Sequence, residues 1–304
     1  MESVADRVFV ARNATYVDEI VRRGAYLRLG GQVIGEIESS SIVSEFQRLD
    51  YSPFVDDART FAVKLVDFTG KLSPESIEAY LGASIKAKDA HLTVSLESPD
   101  ILVAIIVCST RTLVGAIKPE TVHRAWSRRR PRVRPFFHPA VLYPKFARAL
   151  VNLAKVKPGE ILLDPFCGTG SILLEAGLVG VHAVGLDINR KMCKGSLLNL
   201  SAFGVDCMGI LNSDALISSV NRCDAIVTDV PYGRASSTRG MSSDVILGGL
   251  AERAKAILPK GRHAVIVSPE TLEPFEFDGF QLIETHRIYV HRNLTRVVRV
   301  LRRS

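Results

Sequence analysis

Residues 164–171 read Asp164-Pro165-Phe166-Cys167-Gly168-Thr169-Gly170-Ser171, between an apolar run at 161–163 and an apolar helical pattern. The two glycines let the backbone come close to a ligand, and the start of the helix offers free N–H groups. A NAD or FAD site would require Gly-x-Gly-x-x-Gly, but Leu173 stands three residues after Gly170. The loop therefore predicts a ligand site of another kind, and a tight turn without a ligand is the alternative interpretation.

Apolar runs of strand length alternate with helical stretches around this loop. The predicted strands are 161–163, 183–186, 208–211, 225–228 and 263–267, and the predicted helices between them are 171–178, 189–202 and 242–258. Strands that are buried on both faces and alternate with helices are typical of a doubly wound parallel sheet. The last two runs, 281–290 and 295–301, have no helix between them, so they predict an antiparallel hairpin added to an α/β sheet.

Three carboxylates, Asp164, Asp187 and Asp214, follow successive predicted strands. Because ligands bind at the carboxyl ends of the strands in such sheets, we expect the three side chains in one site. Asp164 suits the amino group of methionine, Asp187 the two hydroxyls of a ribose, and Asp214 the amino group of adenine. These are the parts of S-adenosylmethionine. Taken alone, Asp187 is equally well interpreted as a helix N-cap, and Asp214 as a loop or cap carboxylate.

The tetrapeptide Asp229-Val230-Pro231-Tyr232 follows the fourth of these strands and resembles the Asp/Asn-Pro-Pro-Tyr motif of amino-group methyltransferases. The lone pair of an exocyclic amine is delocalised into its base, so two acceptors must hold the hydrogens while the nitrogen turns toward the methyl group. We expect Asp229 and the carbonyl of Val230 to be these acceptors, Tyr232 to stack on the base, and Pro231 to stiffen the turn.

Val230 departs from the motif, which has proline at this position. Since the main-chain carbonyl survives the change, we expect activity, and we expect Val230→Pro to be tolerated. A catalytically inactive RNA-binding protein on the same scaffold is the alternative that this departure leaves open.

Basic residues are concentrated in two segments. The formal net charge is +7, but 121–157 holds ten Lys or Arg and 287–304 holds six Arg, both without Asp or Glu, and the rest of the chain is net acidic. Such segments indicate a surface for a polyanion, whereas a solvated face or a basic linker is the alternative. The small, polar and basic stretch 233–240 is typical of a loop that closes over a flipped base, or of a segment without fixed structure. The predicted RNA-contacting residues are Arg128, Arg129, Arg130, Arg132, Arg134, Arg234 and Arg239.

Four strings together resemble one family: 134–148, 163–176, 228–234 and 290–296, the last reading Val-His-Arg-Asn-Leu-Thr-Arg. They are similar to the archaeal THUMP-containing tRNA guanosine-10 N2-methyltransferases, which are related to the catalytic subunit of the eukaryotic enzyme. The resemblance covers about 130–304. It implies a Rossmann-like fold dependent on S-adenosylmethionine, tRNA as substrate, N2-methylguanosine and N2,N2-dimethylguanosine as products, and a small zinc-binding activator subunit as partner. The expected cofactor-binding residues are His138, Asp164, Phe166, Gly168, Thr169, Gly170, Asp187, Ile188, Asp214 and Ala215.

The first 118 residues have an α+β pattern, and 61–64, 81–85 and 94–100 are similar to a THUMP domain. The predicted domains are a ferredoxin-like domain at 1–50, a THUMP-like RNA-binding domain at 51–118, a connector at 119–145 and a methyltransferase domain at 146–304. The connector is rich in Arg and Pro, and we expect it to be extended because five prolines exclude one continuous helix.

Other classes of protein are disfavoured. Five cysteines without a Cys-x-x-Cys pair favour a reducing cytoplasm and no metal site. No signal peptide is predicted, and the apolar run at 101–108 is too short to span a membrane. A DNA or rRNA amino-methyltransferase shares the tetrapeptide, but the THUMP-like region favours tRNA.

Overall fold

The computed structural model describes residues 2–5, 8–11, 17–27, 30–109, 111–118, 126–139, 141–232, 242–272 and 277–304. The chain divides into two compact units, Met1–Arg22 with Leu27–Val122 and Arg23–Tyr26 with His123–Ser304. No helix in the described ranges has the length and apolar character needed to cross a bilayer.

The N-terminal elements form a two-stranded ribbon, β1-β2, and a five-stranded mixed sheet of order β3-β7-β6-β4-β5. In chain order they are β1 Glu2–Ala5, β2 Val8–Val10, α1 Val17–Arg23, β3 Gln32–Ile37, α2 Ile42–Phe46, α3 Ser52–Val55, β4 Thr60–Asp67, α4 Pro74–Lys88, β5 Thr93–Val94, β6 Ile101–Val107 and β7 Thr112–Ile117.

The apolar run at 101–108 contains β6, which pairs in parallel with β4 and antiparallel with β7. Helix α4 begins at Pro74 after the N-cap Ser73, and proline suits the first turn of a helix. Its buried residues Leu81 and Ile85 pack against Phe61 and Val103 of the sheet. The sheet crosses the boundary predicted at residue 50, because β3 pairs antiparallel with residues 112–116 of β7.

The C-terminal unit contains a seven-stranded sheet of order β10-β9-β8-β11-β12-β14-β13. Its strands and helices are α5 Pro144–Leu153, β8 Ile161–Asp164, α6 Ser171–Gly177, β9 His182–Asp187, α7 Arg190–Ala202, β10 Gly209–Asn212, β11 Ala225–Asp229, α8 Ser243–Ile257, β12 His263–Pro269, β13 Phe280–His291 and β14 Leu294–Arg303. Short 3-10 turns lie at Pro131–Val133 and Glu270–Leu272.

The predicted architecture is confirmed. Strands β8 to β12 are parallel, while β14 and β13 form the antiparallel hairpin added beyond β12. From β8 the chain proceeds outward to β9 and β10, and then returns to the other side of β8 with β11. Such a reversal of strand order leaves a crevice at the carboxyl ends of the two central strands, where ligands bind in open α/β sheets.

Both faces of this sheet are covered by helices, as the apolar runs require. Leu162 packs with α5 and α6, whereas its neighbour Leu163 faces the opposite side and packs with α8. Each fully buried leucine contributes about 1.5–3 kcal/mol through burial. The strand ends are therefore held by a rigid core on either side.

The predicted connector is not extended throughout. Helix α5 starts at Pro144, inside the predicted connector, and a 3-10 turn forms at Pro131–Val133. Both elements carry proline in their first turn, where its missing N–H costs no hydrogen bond. The prolines of this region therefore start short helices as well as exclude a long one.

Candidate active site

The carboxyl ends of β8, β9 and β11 and the loop after β10 line a cavity of about 580 Å³. This volume lies within the range of about 300–1,000 Å³ that is typical of small-molecule sites. The structure brings there all the predicted catalytic residues and nearly all the predicted cofactor residues, with Gly170 as the exception. Those that line the cavity are His138, Asp164, Phe166, Gly168, Thr169, Asp187, Ile188, Asp214, Ala215, Asp229, Val230, Pro231 and Tyr232.

The glycine loop connects β8 to α6 through two residues with positive φ. Gly168 has φ +50°, and a Cβ placed on it would meet no atom within 4 Å, so this position faces open space. Gly170 has φ +78° and is the N-cap of α6. A Cβ there would lie 2.2 Å from the Ser196 hydroxyl, so Gly170 is required for close packing of the loop on α7. The two glycines thus have different tasks.

Asp164 ends β8 and is buried, with 2% of the residue exposed. Its Oδ1 accepts hydrogen bonds from the Thr228 hydroxyl at 2.8 Å and from the Phe166 N–H at 3.2 Å. Burial raises the pKa of Asp164 to about 7, and the carboxylates of Asp229 and Asp187 add to this effect while the two hydrogen bonds oppose it. A cation bound in the cavity would stabilise the ionised form of this carboxyl.

Asp187 ends β9 and bridges two backbone segments. Its Oδ2 accepts from the Gly168 N–H at 2.9 Å and its Oδ1 from the Asn189 N–H at 2.8 Å. Burial raises the pKa of Asp187, against these two hydrogen bonds. The N-cap of α7 is Asn189, whose side chain accepts from the Lys191 N–H. The capping role considered for Asp187 therefore belongs to Asn189.

Asp214 follows β10 at the edge of the cavity. Its Oδ1 accepts a hydrogen bond from the Leu216 N–H at 3.0 Å, so the carboxylate also shapes the turn in which it lies. The loop-carboxylate interpretation and a ligand role are compatible, because Asp214 and Ala215 both line the cavity.

Asp229 ends β11, and 16% of its side chain is exposed. Its Oδ2 lies 3.5 Å from Nη2 of Arg296, whereas its Oδ1 is buried and has no hydrogen-bond partner within the described ranges. Burial raises the pKa of Asp229 to about 6, and the charge of Arg296 and a hydrogen bond with Tyr232 oppose this rise. Unsatisfied buried acceptors are uncommon in folded proteins, which marks this oxygen as a place for a donor from a bound molecule.

The side chains of Val230 and Tyr232 have different surroundings, although both residues line the cavity. The Val230 side chain is buried in the core with Ile266, and its N–H donates to the Val267 carbonyl at 3.0 Å. Tyr232 lines the cavity, and its hydroxyl accepts a hydrogen bond from Nε of Arg296 at 2.8 Å. Burial raises the pKa of Tyr232. The sequence predicted no site role for Arg296, which stands in the basic C-terminal segment and at the end of the family string 290–296.

The segment 134–139 is fastened to α7 and to the glycine loop by Asn199. Its Oδ1 accepts from the Phe136 N–H at 2.9 Å, and its Nδ2 donates to the carbonyls of Phe136 at 3.0 Å and Thr169 at 2.9 Å. Gly195 makes room for the ring, since a Cβ there would lie 2.0 Å from Cδ1 of Phe136. These contacts place His138 at the cavity. Sequence reasoning missed the buried Asn199, whose partners lie far away along the chain.

The predicted RNA-contacting arginines differ in exposure. Arg128, Arg130 and Arg132 are exposed, as a surface for a polyanion requires. Arg234 and Arg239 lie outside the described residues.

Arg129 and Arg134 have structural partners, so their predicted role in RNA contact is corrected. Arg129 Nε lies 2.8 Å from the buried carboxylate of Glu175, which also pairs with Arg148 at 2.8 Å. Arg134 is buried and donates to the Arg129 carbonyl and to the Ser171 hydroxyl at 2.7 Å. A buried carboxylate such as that of Glu175 requires a paired cation. These arginines therefore attach the basic segment to α6.

The comparisons with known proteins agree with this geometry. The family model UPF0020, described as RMKL-like, methyltransferase domain, matches residues 131–297. The chain is 35% identical over 285 residues to the tRNA (guanine(10)-N2)-dimethyltransferase of Methanothermobacter thermautotrophicus, covering 93% of this chain and 84% of that protein. The chain belongs to the RMKL-like methyltransferases, in the group of the archaeal tRNA (guanine(10)-N2)-dimethyltransferases. The methyltransferase is also 31% identical over 316 residues to the enzyme of that name from Methanocaldococcus jannaschii, covering 94% of this chain and 87% of that one.

A solved structure agrees with the fold. TrmN from Thermus thermophilus superposes with a TM-score of 0.57 at 21% identity, covering 92% of this chain and 85% of that one. The family model and the two archaeal relatives confirm the family predicted from the four sequence strings. The predictions of an enzyme and of S-adenosylmethionine as its cofactor are confirmed with it.

Proposed function

We propose that this methyltransferase transfers a methyl group to the exocyclic N2 of guanosine 10 in tRNA, forming N2-methylguanosine and N2,N2-dimethylguanosine. Two relatives that cover most of the chain carry this activity in their names. The observation that carries the proposal is the Asp229 carboxylate, whose Oδ1 is buried without a partner in the described part of the chain, beside Tyr232 at the cofactor cavity. An amine with two N–H donors would satisfy this oxygen.

S-adenosylmethionine supplies, when bound, a methyl group on a sulfonium that keeps the electron pair of the broken C–S bond. The residues at the cavity fit this molecule, because Gly168 faces open space and three carboxylates stand at successive strand ends. We assign Asp164 to its amino group, Asp187 to its ribose hydroxyls and Asp214 to its adenine amino group. Backbone and side-chain contacts are assigned to His138, Phe166, Gly168, Thr169, Gly170, Ile188 and Ala215, with Gly170 acting through the shape of the loop.

Asp229 and the carbonyl of Val230 would each accept one hydrogen of the guanine amino group, which turns the nitrogen lone pair away from the ring. As this lone pair forms the new C–N bond, the nitrogen becomes positively charged. The ionised Asp229 carboxylate then accepts the surplus proton. Tyr232 provides the surface on which the base stacks, and Pro231 holds the turn between them.

We assign the tRNA surface to Arg128, Arg130 and Arg132, together with Arg234 and Arg239. The three described arginines are exposed, which supports contact with phosphates. The N-terminal residues are assigned to tRNA binding as a ferredoxin-like region at 1–50 and a THUMP-like region at 51–118. All five cysteines are free, which supports a place in the reducing cytoplasm.

A docking surface for a small activator subunit is proposed at the edge strand β10. Large apolar side chains are exposed around this strand, and Ile217 is 82% exposed. The residues concerned are Leu197, Leu198, Met208, Leu211 and Ile217. If a zinc-binding subunit docks here, Leu211→Glu should abolish its co-purification, whereas Leu282→Glu on the opposite edge strand should not. Equal loss with both variants would contradict this location.

The function is tested by incubating the isolated chain with tRNA and methyl-labelled S-adenosylmethionine, followed by nucleoside digestion and mass spectrometry. We expect label in N2-methylguanosine from position 10, and none after substitution of that guanosine by adenosine. Label in N6-methyladenine would contradict the substrate. No label, with no thermal stabilisation by S-adenosylmethionine, would instead indicate an inactive RNA-binding protein.

Asp229→Ala separates catalysis from cofactor binding. We expect the single-turnover rate to fall by about 10²–10⁴-fold, the usual contribution of a proton-transfer group. The affinity for S-adenosylmethionine, measured by calorimetry, should change by less than about threefold, because its proposed contacts do not include Asp229. A comparable loss of cofactor affinity would show that the role of Asp229 is misassigned.

A further inference from the structure

One guanidinium contacts two of the residues that the proposed transfer uses. Arg296 Nε donates to the Tyr232 hydroxyl at 2.8 Å, and Nη2 lies 3.5 Å from Oδ2 of Asp229. The planar fork of arginine presents its donors in a fixed relative geometry, which a lysine ammonium does not reproduce. The positions of Asp229 and Tyr232 are therefore coupled through one rigid group.

Arg296 is itself held in place by the hairpin. It lies on β14, opposite Pro269 of β12 and Ile288 of β13, so its backbone is paired on both sides. Its guanidinium carbon lies 5.9 Å from the ring centroid of Phe146, and 15% of its side chain is exposed. The face of an aromatic ring attracts a cation electrostatically. This arginine is thus ordered before any substrate arrives.

The electrostatic surroundings of Asp229 explain why a cation is needed there. The other titratable groups that line its cavity come from several elements, and they are Asp164, Asp187, Asp214, Cys167, Tyr143, Tyr232, His138 and His291. Arg296 is the permanently charged cation among the described residues that line this cavity. Burial raises the pKa of Asp229 to about 6, and the charge of Arg296 is the largest effect that opposes the rise. Without this charge, Asp229 would stay protonated up to a higher pH, and a protonated carboxyl is a poorer acceptor for the amine.

We propose that Arg296 is a positioning residue for methyl transfer, which keeps the negative charge on Asp229 and fixes the Tyr232 ring through the two arms of its guanidinium. The inference rests on the proposed function of Asp229 and Tyr232. Arg296 contacts the two acceptor-site side chains and acts on the reaction through them.

The first test is the pH dependence of the single-turnover rate, measured with saturating enzyme and cofactor. In the wild type the rate should fall as the pH falls through about 6, where Asp229 becomes protonated. The part of the profile where the rate falls toward low pH is its acidic limb. Arg296→Gln keeps a hydrogen-bond donor but removes the charge, so this acidic limb should move to higher pH by about one unit. The rate would then be about fivefold lower than in the wild type at pH 6 and about tenfold lower well below pH 6.

The control is Arg302→Gln, which removes the same charge from an exposed position on the same strand. Its acidic limb should coincide with that of the wild type. If the acidic limb of Arg296→Gln stays at the pH of the wild type, and its rate is lowered equally at every pH, the proposed role of the charge is overturned.

The second test addresses the hydrogen bond to Tyr232 and remains informative if Arg296→Gln fails to fold. Arg296→Lys keeps the charge but loses the fork, so its limb should stay near that of the wild type while its plateau falls about tenfold. Tyr232→Phe removes the acceptor of the same bond. In the double variant, which combines Arg296→Lys with Tyr232→Phe, the fold-loss of the plateau rate should be clearly smaller than the product of the two single fold-losses. Independent, multiplicative losses would overturn the coupling.

A third measurement separates failure of this inference from failure of the proposed function. The ¹³C carboxyl resonance of Asp229, identified by its loss in Asp229→Asn, is titrated without RNA in the wild type and in Arg296→Lys and Arg296→Gln. A titration that moves to higher pH only in Arg296→Gln supports the inference even if the wild type methylates no guanosine. An unmoved titration overturns it even if the wild type does.

Discussion

Asp164 is ionisable inside the protein only at a cost in stability. Its pKa is raised from 3.8 to about 7 in the folded chain. At a pH between these two values, the folded state therefore keeps a proton on Asp164 that the unfolded state has released. The stabilisation that results is fully present below the unfolded value and is lost as the pH rises through about 7. The cofactor-free protein is therefore destabilised by this group above neutral pH.

Asp164→Asn should remove this loss of stability above neutral pH and should weaken cofactor binding. The amide oxygen can still accept from Thr228 and Phe166, so we expect the melting temperature of the cofactor-free protein at pH 8 to rise by about 2–6 °C. Affinity for S-adenosylmethionine should fall about tenfold to a hundredfold through loss of a charge-assisted hydrogen bond. Calorimetry and thermal melts at pH 6 and 8 measure both effects. The exposed Asp206→Asn is the control, and an equal melting shift there would contradict the assignment.

Val230→Pro illustrates how the structure changes an expectation from sequence. Proline preserves the carbonyl, but it removes the N–H that bonds to Val267 and alters a side chain that is 1% exposed. We expect the free energy of unfolding to fall by about 1–3 kcal/mol, with the methyl-transfer rate reduced by less than about tenfold. Denaturant melts and single-turnover rates check this. Val230→Ala is the control, because it keeps the N–H. If the proline variant is as stable as the wild type, the hydrogen bond from Val230 to Val267 contributes nothing to stability.

At the scale of elements, α7 and the hairpin carry the supports of the site. Helix α7 holds Asn199 and Gly195, which position the segment 134–139, and β14 holds Arg296. Neither element has a recognisable catalytic motif in the sequence. Their sequence patterns predicted a helix and a strand, and those assignments were confirmed. The contacts of Asn199, Gly195 and Arg296 depend on which face of the helix or strand packs against which neighbouring element.

Two helical glycines provide a matched test of the α7 contact. In Gly195→Ala the new Cβ would lie 2.0 Å from the Phe136 ring, whereas in Gly248→Ala on α8 it would meet no atom within 4 Å. We expect Gly195→Ala to lower the free energy of unfolding by about 1–3 kcal/mol and to weaken cofactor binding. Gly248→Ala should raise stability by about 0.5–1 kcal/mol. Equal responses in denaturant melts would mean that the Phe136 contact has no effect.

Across the whole molecule, the basic residues divide into a surface set and a structural set. Arg128, Arg130 and Arg132 are exposed, whereas Arg129, Arg134 and Arg148 surround Glu175 or its neighbours in the interior. A count of charges along the sequence cannot separate these sets, because both lie in one segment.

Replacing Arg128, Arg130 and Arg132 together by alanine should weaken tRNA binding and reduce its dependence on salt. Each lost phosphate contact lowers the slope of log affinity against log salt by about 0.7–0.9. Filter binding from low to high salt measures the slope, with cofactor affinity as a check of the fold. The control removes three exposed cations on α7, Arg190, Lys191 and Lys194. An equal loss of slope would indicate a general charge effect in place of a local surface.

Local sequence patterns are enough to predict the parallel sheet, the added hairpin, the glycine loop and the Asp229–Tyr232 turn, because hydrophobic periodicity and turn chemistry act over a few neighbouring residues. The folded structure was needed to show which arginines are buried, that β3 joins β7 across the residue 50 boundary, and that Asn199 holds Phe136. It also brought Arg296 to Tyr232 across 64 residues of chain. Such pairings follow from sheet order and register, which no local pattern encodes.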